Sequence, residues 1–255
     1  MTKKAALALA ALMIAISASA CRNANWSRDP SAVFFPLKPR MMWMYRVQSK
    51  SQRTTYVMTD MVIGSQYVPA LKVRGAVVQE FYNFDRAGLR PIIYLEKGGY
   101  LTRLSGLDYV EHQIKPPAWG RSIEEDFLPE RLGPDQIWKN KFFPYGALPG
   151  SFAVAQSHKS FKETRAVVVP AGHYEGCIRI ETQASYEGGA YAQQRQALKL
   201  TYVDWYAPNV GLVRTVTYQG GPNGPEMDRV ELIKFDRGAG AAAAAQPVAP
   251  AHPNS

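Results

Sequence analysis

The side chains able to do chemistry are few and scattered. Four histidines, His112, His158, His173 and His252, stand at no spacing at which two of them would ligate one metal. There are two cysteines, Cys21 and Cys177, and they form no C-x-x-C pair. H-E-x-x-H, G-x-S-x-G and the P-loop pattern are all missing from the sequence. Two short runs come nearest to a site. In "DYVEH" a helical reading puts Asp108, Glu111 and His112 on one face as candidate metal ligands, although a solvated surface turn accounts for them more simply. In "HYEGC" His173 precedes Cys177 by four residues, which would suit a Cys–His pair. Gly176 interrupts that strand, however, and Ile178 and Ile180 mark Cys177 as a buried, inert thiol. The expectation is a protein that is not an enzyme, with no catalytic residue, metal or cofactor.

Cys21 has a different context. "MTKK" gives a positive start, "AALALAALMIAI" an apolar run too short to span a bilayer, and "SASAC" a small-residue end, the order of a secretory signal over residues 1–20. "ASAC" (18–21) resembles the bacterial lipobox, with Ala18 where Leu is usual, so Cys21 is expected to carry acyl chains that hold the protein on a membrane. Ala18-Ser19-Ala20 also satisfies ordinary signal cleavage, which would leave a soluble periplasmic protein. Arg22 follows Cys21 where Asp would signal retention at the inner membrane by resemblance to enteric sorting, so the periplasmic face of the outer membrane is expected. With Cys21 lipidated, Cys177 lacks a partner and no disulfide forms. The formal charge of +9 would by itself suggest nucleic acid, but export and the lack of Lys/Arg clusters with stacking aromatics argue against that partner.

The elements that position any site read as strands. After a polar tether (21–33), apolar–polar alternation runs from Phe34 to Arg237 through "WMYRVQS", "TTYVMTDMVI", "AVVQEFYNF", "PIIYLE", "TRAVVVP", "CIRIETQASY", "ALKLTYVDWY", "LVRTVTYQ" and "MDRVELIKF". Short Gly- and Asp-containing links favour antiparallel hairpins. Both faces of 54–62 and 198–206 are partly apolar, as in a strongly curved sheet with something inside it, or in a β-sandwich. One or two short helices are expected at 106–114 and 121–132, within a Pro-rich, irregular stretch (107–150) that covers a sheet edge or mouth. The Ala/Pro tract 238–255 has nothing to pack and is expected to be disordered. The domain is therefore 34–237.

Two features punctuate this domain. "PRMMW" (39–43) and "PDQIW" (134–138) each place Pro four residues before Trp and each open one half, as if one lead-in into a strand were used twice. "WYAPNVGLVRT" (205–215) turns a corner, with Pro208 setting φ and Asn209 and Gly211 suited to left-handed backbone.

Three stretches in order, "FPLKPRMMWMYRV", "VVVPAGHYEGCIRI" and "WYAPNVGLVRT", resemble bacterial envelope lipoproteins of the TapB-like kind, which are associated with the LolA/LolB-like half-barrel. Arg40 and Asn209 depart from that pattern, standing where it has Gly. The resemblance covers roughly 34–236, supplies no catalytic residue, and implies a single curved antiparallel sheet around an apolar cavity. It implies a non-enzymatic protein that binds an apolar or amphipathic ligand, a lipid or a lipidated partner. Trp43, Tyr45, Tyr56, Tyr94 and Trp205 are the candidate lining residues, the alternative being that they are simply core. A second reading is a structural or assembly scaffold that contacts another envelope protein through 107–150 and the basic surface; an undetected hydrolase comes third.

Overall fold

The computed structural model describes residues 31–84, 90–118, 122–143, 152–188 and 199–238. The signal segment, Cys21 and the tail from 239 onward lie outside the described residues. A four-residue helix, α1 (Ser31–Phe34), precedes a run of strands. The first half is β1 (Met42–Ser49), β2 (Thr54–Val68), β3 (Val73–Tyr82), β4 (Arg90–Lys97), β5 (Tyr100–Ser105), a small hairpin of β6 (Asp108–Val110) and β7 (Gln113–Lys115), and β8 (Ile123–Pro129). The second is β9 (Ile137–Phe142), β10 (Ala153–Lys162), a small hairpin of β11 (Val167–Val169) and β12 (Gly172–Tyr174), then β13 (Ile178–Glu187), β14 (Leu200–Ala207), β15 (Gly211–Gln219) and β16 (Glu226–Asp236).

Twelve strands make one antiparallel sheet in the order β8-β5-β4-β3-β2-β1-β16-β15-β14-β13-β10-β9. It curls until the edge strands β8 and β9 lie alongside each other, so the expected half-barrel is a nearly closed barrel. No ladder joins β8 to β9 among the described residues; Asn140 Nδ2 on β9 bridges the seam by donating to Asp126 O on β8 at 3.1 Å. The helices expected at 106–114 and 121–132 are absent. The first is the β6–β7 hairpin, whose turn residues Glu111 and His112 both have positive φ (52° and 60°), the backbone of a two-residue hairpin loop. The second is β8, paired with β5 along its length.

Each face of the sheet carries a cluster of buried apolar residues, although the outer one draws on none of 54–62 or 198–206. The main core is inside and includes Met41, Trp43, Val62, Leu128, Ile178, Tyr206 and Leu232. A smaller outer cluster unites Val77, Ile93 and Leu104 with Leu107, and Ile114 of the β6–β7 hairpin packs against it.

The two Pro–Trp lead-ins are built alike. Arg40 and Asp135, each three residues before its Trp, both take left-handed backbone (φ 69° and 60°). Arg40 N donates to Val62 O while Val62 N donates to Met41 O; likewise Asp135 N donates to Ser160 O while Ser160 N donates to Gln136 O. Trp43 then pairs across to Asp60, and Trp138 to His158. Thus β1–β2 and β9–β10 are two copies of one device, each opening a six-strand half. At Arg40 and Asn209 (φ 59°), where the motif resemblance has Gly, the backbone is left-handed, which explains the glycine and shows these residues adopting its conformation.

Candidate functional site

The barrel interior is not filled. A cavity of about 380 Å³ lies within it, lined by residues of both halves. One side is aromatic. Phe35, just after α1, enters the cluster and packs its ring 4.9 Å from Tyr94, 5.3 Å from Phe127 and 6.3 Å from Tyr206. Tyr45, Met58, Ile92, Ile180 and Leu212 extend this apolar lining. The corner at 205–211 holds it in place: Tyr45 Oη donates to Leu212 O (3.1 Å), and Asn209 N donates to Val33 O of α1 (2.5 Å).

The other side is polar and titratable. Among the described residues of the lining, Asp60 on β2, Glu80 on β3, Glu125 on β8 and Asp204 on β14 set four carboxyl groups against the one guanidinium of Arg103 on β5. Arg103 donates to Glu125 through Nε (3.1 Å) and a terminal nitrogen (2.5 Å), and its guanidinium lies 4.9 Å from the Phe127 ring centre. Burial works against the Arg103 charge, but Glu125 outweighs it and holds the guanidinium firmly protonated. Tyr82 Oη donates to Glu80 (2.7 Å) and Thr215 Oγ1 to Asp204 (2.7 Å). Burial, with Glu80 adding to it, pushes the Asp60 carboxyl up to about 8. Burial pushes Asp204 up to about 6, despite Thr215 and Arg103. His158 on β10 is buried (5% exposed), shares a 2.8 Å hydrogen bond with Thr182 through Nδ1, and stacks on Trp138 at 4.8 Å. Burial lowers it to about 4, so the imidazole is neutral.

Several buried polar atoms of this wall lack a hydrogen-bond partner among the described residues: Asp60 Oδ1, Gln156 Oε1, His158 Nε2 and Trp138 Nε1. Asn140 Oδ1 at the seam is another. Buried polar groups are ordinarily satisfied by protein or water, so the side chains around this void keep hydrogen-bonding capacity that the protein itself does not use.

Of the residues singled out by sequence, Tyr45 and Tyr94 line this cavity. Trp43, Tyr56 and Trp205 do not. Trp43 is core: its indole donates to Val210 O (2.5 Å) and stacks on Phe235 at 5.8 Å. Tyr56 sits by the β1–β2 and β3–β4 turns, its ring 5.6 Å from Tyr82 and 4.9 Å from Phe84. Trp205 packs under Arg214 and donates to Glu163 Oε2 (3.1 Å), away from the void. Cys177 is fully buried, its thiol pushed up to about 12 by burial and turned toward Tyr174 O. His173 lies on β12, paired with Val168, and makes no Cys–His pair. Asp108, Glu111 and His112 occupy the small hairpin, and no metal-holding group of side chains occurs among the described residues.

The polar wall went unread in the sequence. A faint signal was available in "AVAQSHKSFK", where Gln156, His158 and Ser160 alternate with the outward residues. Their period is that of a strand, but with polar side chains inward.

No family model and no curated protein matches the chain. Two crystal structures are similar to it. One is of a lipoprotein candidate from Parabacteroides distasonis, with TM-score 0.50 and 15% identity over 80% of this chain and 98% of that one. The other is of an exported-protein candidate with a YmcC-like fold from Bacteroides fragilis, with TM-score 0.48 and 14% identity over 80% and 99%. The first likeness, at that identity, concerns the fold alone.

Proposed function

We propose that this is an exported envelope lipoprotein that holds an amphipathic ligand inside its barrel without transforming it. The observation that carries this reading is the unfilled interior, where an aromatic cluster adjoins carboxyl, imidazole and amide side chains, several of which carry buried polar atoms without a partner among the described residues. Burying a hydrocarbon or ring against Phe35, Tyr94, Phe127 and Tyr206 yields about 25 cal/mol per Å² removed from water, and the polar wall sets orientation. The signal and lipobox-like "ASAC" support export and an acyl anchor on Cys21, at the periplasmic face of the outer membrane. The similar fold of a lipoprotein candidate agrees with this, as does the motif resemblance to LolA/LolB-type sheets. A non-catalytic role is supported by His158, too weak a base at neutral pH, and by Cys177, a protonated thiol outside the lining.

The test is native mass spectrometry of the full chain purified from its membrane fraction. A co-purified small molecule and acyl mass on Cys21, with release to the soluble fraction in Cys21→Ser, are expected. An empty barrel that takes up no amphiphile would overturn ligand binding; a non-acylated Cys21→Ser protein still in the membrane would overturn the anchor. The scaffold reading has its own support: Tyr109, Val110 and Ile137 (68% exposed), all within 107–150, are large apolar side chains left in solvent. An empty barrel that co-purifies with one envelope protein would favour it.

A further inference from the structure

The exterior and the interior of this protein carry opposite charge. The chain is basic, with thirty Lys and Arg against twenty-one Asp and Glu. Yet among the described residues no lysine lines the cavity and Arg103 is the one guanidinium in its lining; Arg90, across from Glu80, lies over the Tyr82 ring at 5.0 Å, outside that lining. Arg103 is already committed to Glu125 by two hydrogen bonds. His158 adds no positive charge because burial keeps it neutral. Asp60, Glu80 and Asp204 are therefore left with hydroxyl donors or none: Tyr82 for Glu80, Thr215 for Asp204, and no partner for Asp60 Oδ1 among the described residues. Three of the four orphaned polar atoms in the lining can accept a hydrogen bond, namely Asp60 Oδ1, Gln156 Oε1 and, in one tautomer, His158 Nε2; Trp138 Nε1 is the one obligate donor. A buried carboxyl group without a counter-charge must either hold a proton or find a cation.

We propose that the cavity selects an amphipathic amine, whose ammonium is received beside Asp60 and Glu80, cross-strand neighbours on β2 and β3, and whose hydrocarbon or ring lies against the aromatic cluster. This rests on the reading of the barrel as a ligand-binding cavity and names the class of ligand. Each ammonium brings three N–H donors and one positive charge, which the wall lacks; a carboxylate or phosphate end would meet the carboxyl groups with like charge. Ligand binding and proton release are linked. Asp60 faces Tyr45 on β1, Glu80 on β3, Tyr94 on β4 and Arg103 on β5, and in the empty barrel it is mostly protonated at neutral pH. A bound ammonium favours its ionised form, so amine affinity rises between pH 6 and pH 8 and a proton passes to the buffer.

Calorimetric titration of the purified full chain with octylamine, octanol and octanoate, at pH 6 and pH 8, tests this. The expected result is octylamine binding at least tenfold tighter than octanol, no detectable octanoate binding, and a buffer-dependent heat that reports proton release. Asp60→Asn should remove most of the octylamine preference and its pH dependence while leaving octanol binding in place, which also shows that the variant folds. If the three probes bind equally, the amine inference is overturned and the cavity reading stands. If octanoate binds best, the inference is likewise overturned. If none binds, both fall together.

Discussion

The two halves of the barrel start from the same device and use it differently. In the first, Trp43 opens β1, turns its indole N–H onto Val210 O and pairs across to Asp60. In the second, Trp138 opens β9, leaves its N–H without a partner among the described residues and lies flat on His158, its cross-strand neighbour. The seams differ too. The last strand of the second half zips to the first strand of the first half along all of β1, whereas β8 and β9 meet with a side-chain bridge and, among the described residues, no ladder. One copy of the device has been spent on closing the core and the other on lining the void. Duplicated architecture thus leaves a residue type free to change role while its backbone setting stays the same.

The largest effect is expected where charge is buried. Arg103→Met strands Glu125, itself buried, and should cost about 3 kcal/mol or more in urea unfolding. Arg214→Met, on the corresponding strand pair β15–β16, leaves Glu231 with Arg46 and Arg229 and should cost about 1 kcal/mol or less. Equal losses would show that the inner pair is no more desolvated than the outer one.

The tryptophans themselves come next. Trp43→Phe removes a buried donor from Val210 O and should cost about 2 kcal/mol, while Trp138→Phe loses no hydrogen bond and should stay within about 1 kcal/mol of the parent. A larger loss at Trp138 would place a structural partner at its indole.

The cross-strand partners of these tryptophans should give opposite pH slopes. Asp60 is raised in the folded state, so its contribution is lost as pH climbs from the ordinary carboxylate range towards 8. His158 is lowered, so its contribution is lost as pH falls from about 6.5 towards 4. The two windows overlap between about pH 4 and pH 6.5, where the slopes oppose each other, and above about pH 6.5 the Asp60 loss runs alone. Asp60→Asn should remove the loss above about pH 6.5, and His158→Gln should leave stability falling from about pH 4 upward; a variant with the other's effect would break the assignment.

The seam gives the smallest change. Asn140→Ala removes the bridge to Asp126 O and should cost about 1 kcal/mol, with faster amide exchange confined to β8 and β9. Faster exchange across β1 and β16 as well would mean that the two seams open together.

Much of the fold was legible because ordinary strands obey ordinary alternation. In β1 every second residue from Trp43 is buried, and β13 and β14 keep the same rhythm over most of their length. The corner at 205–211 was readable from Pro208, Asn209 and Gly211, since few residues tolerate its backbone. Strands β8 and β10 were not, and the reason is physical. Their inward positions include Glu125, Gln156 and His158, which line the cavity, so the hydrophobic period that marks a strand is broken there. The same inversion hid the site: aromatic residues were candidates for the lining, and the polar groups between them were not.

By itself the sequence determined a mainly antiparallel β domain, its two Pro–Trp openings and its glycine-like turns, since these follow from local sterics and from a period of two. Only the tertiary structure decided that the sheet nearly closes, that Tyr45 and Tyr94 line the void while Trp43, Tyr56 and Trp205 do not, and that four carboxyl groups share one guanidinium. Those outcomes depend on curvature and on which strands meet across the barrel. The residues that meet there, Asp60, Arg103, Glu125, His158 and Asp204, lie far apart along the chain and are brought together by closure.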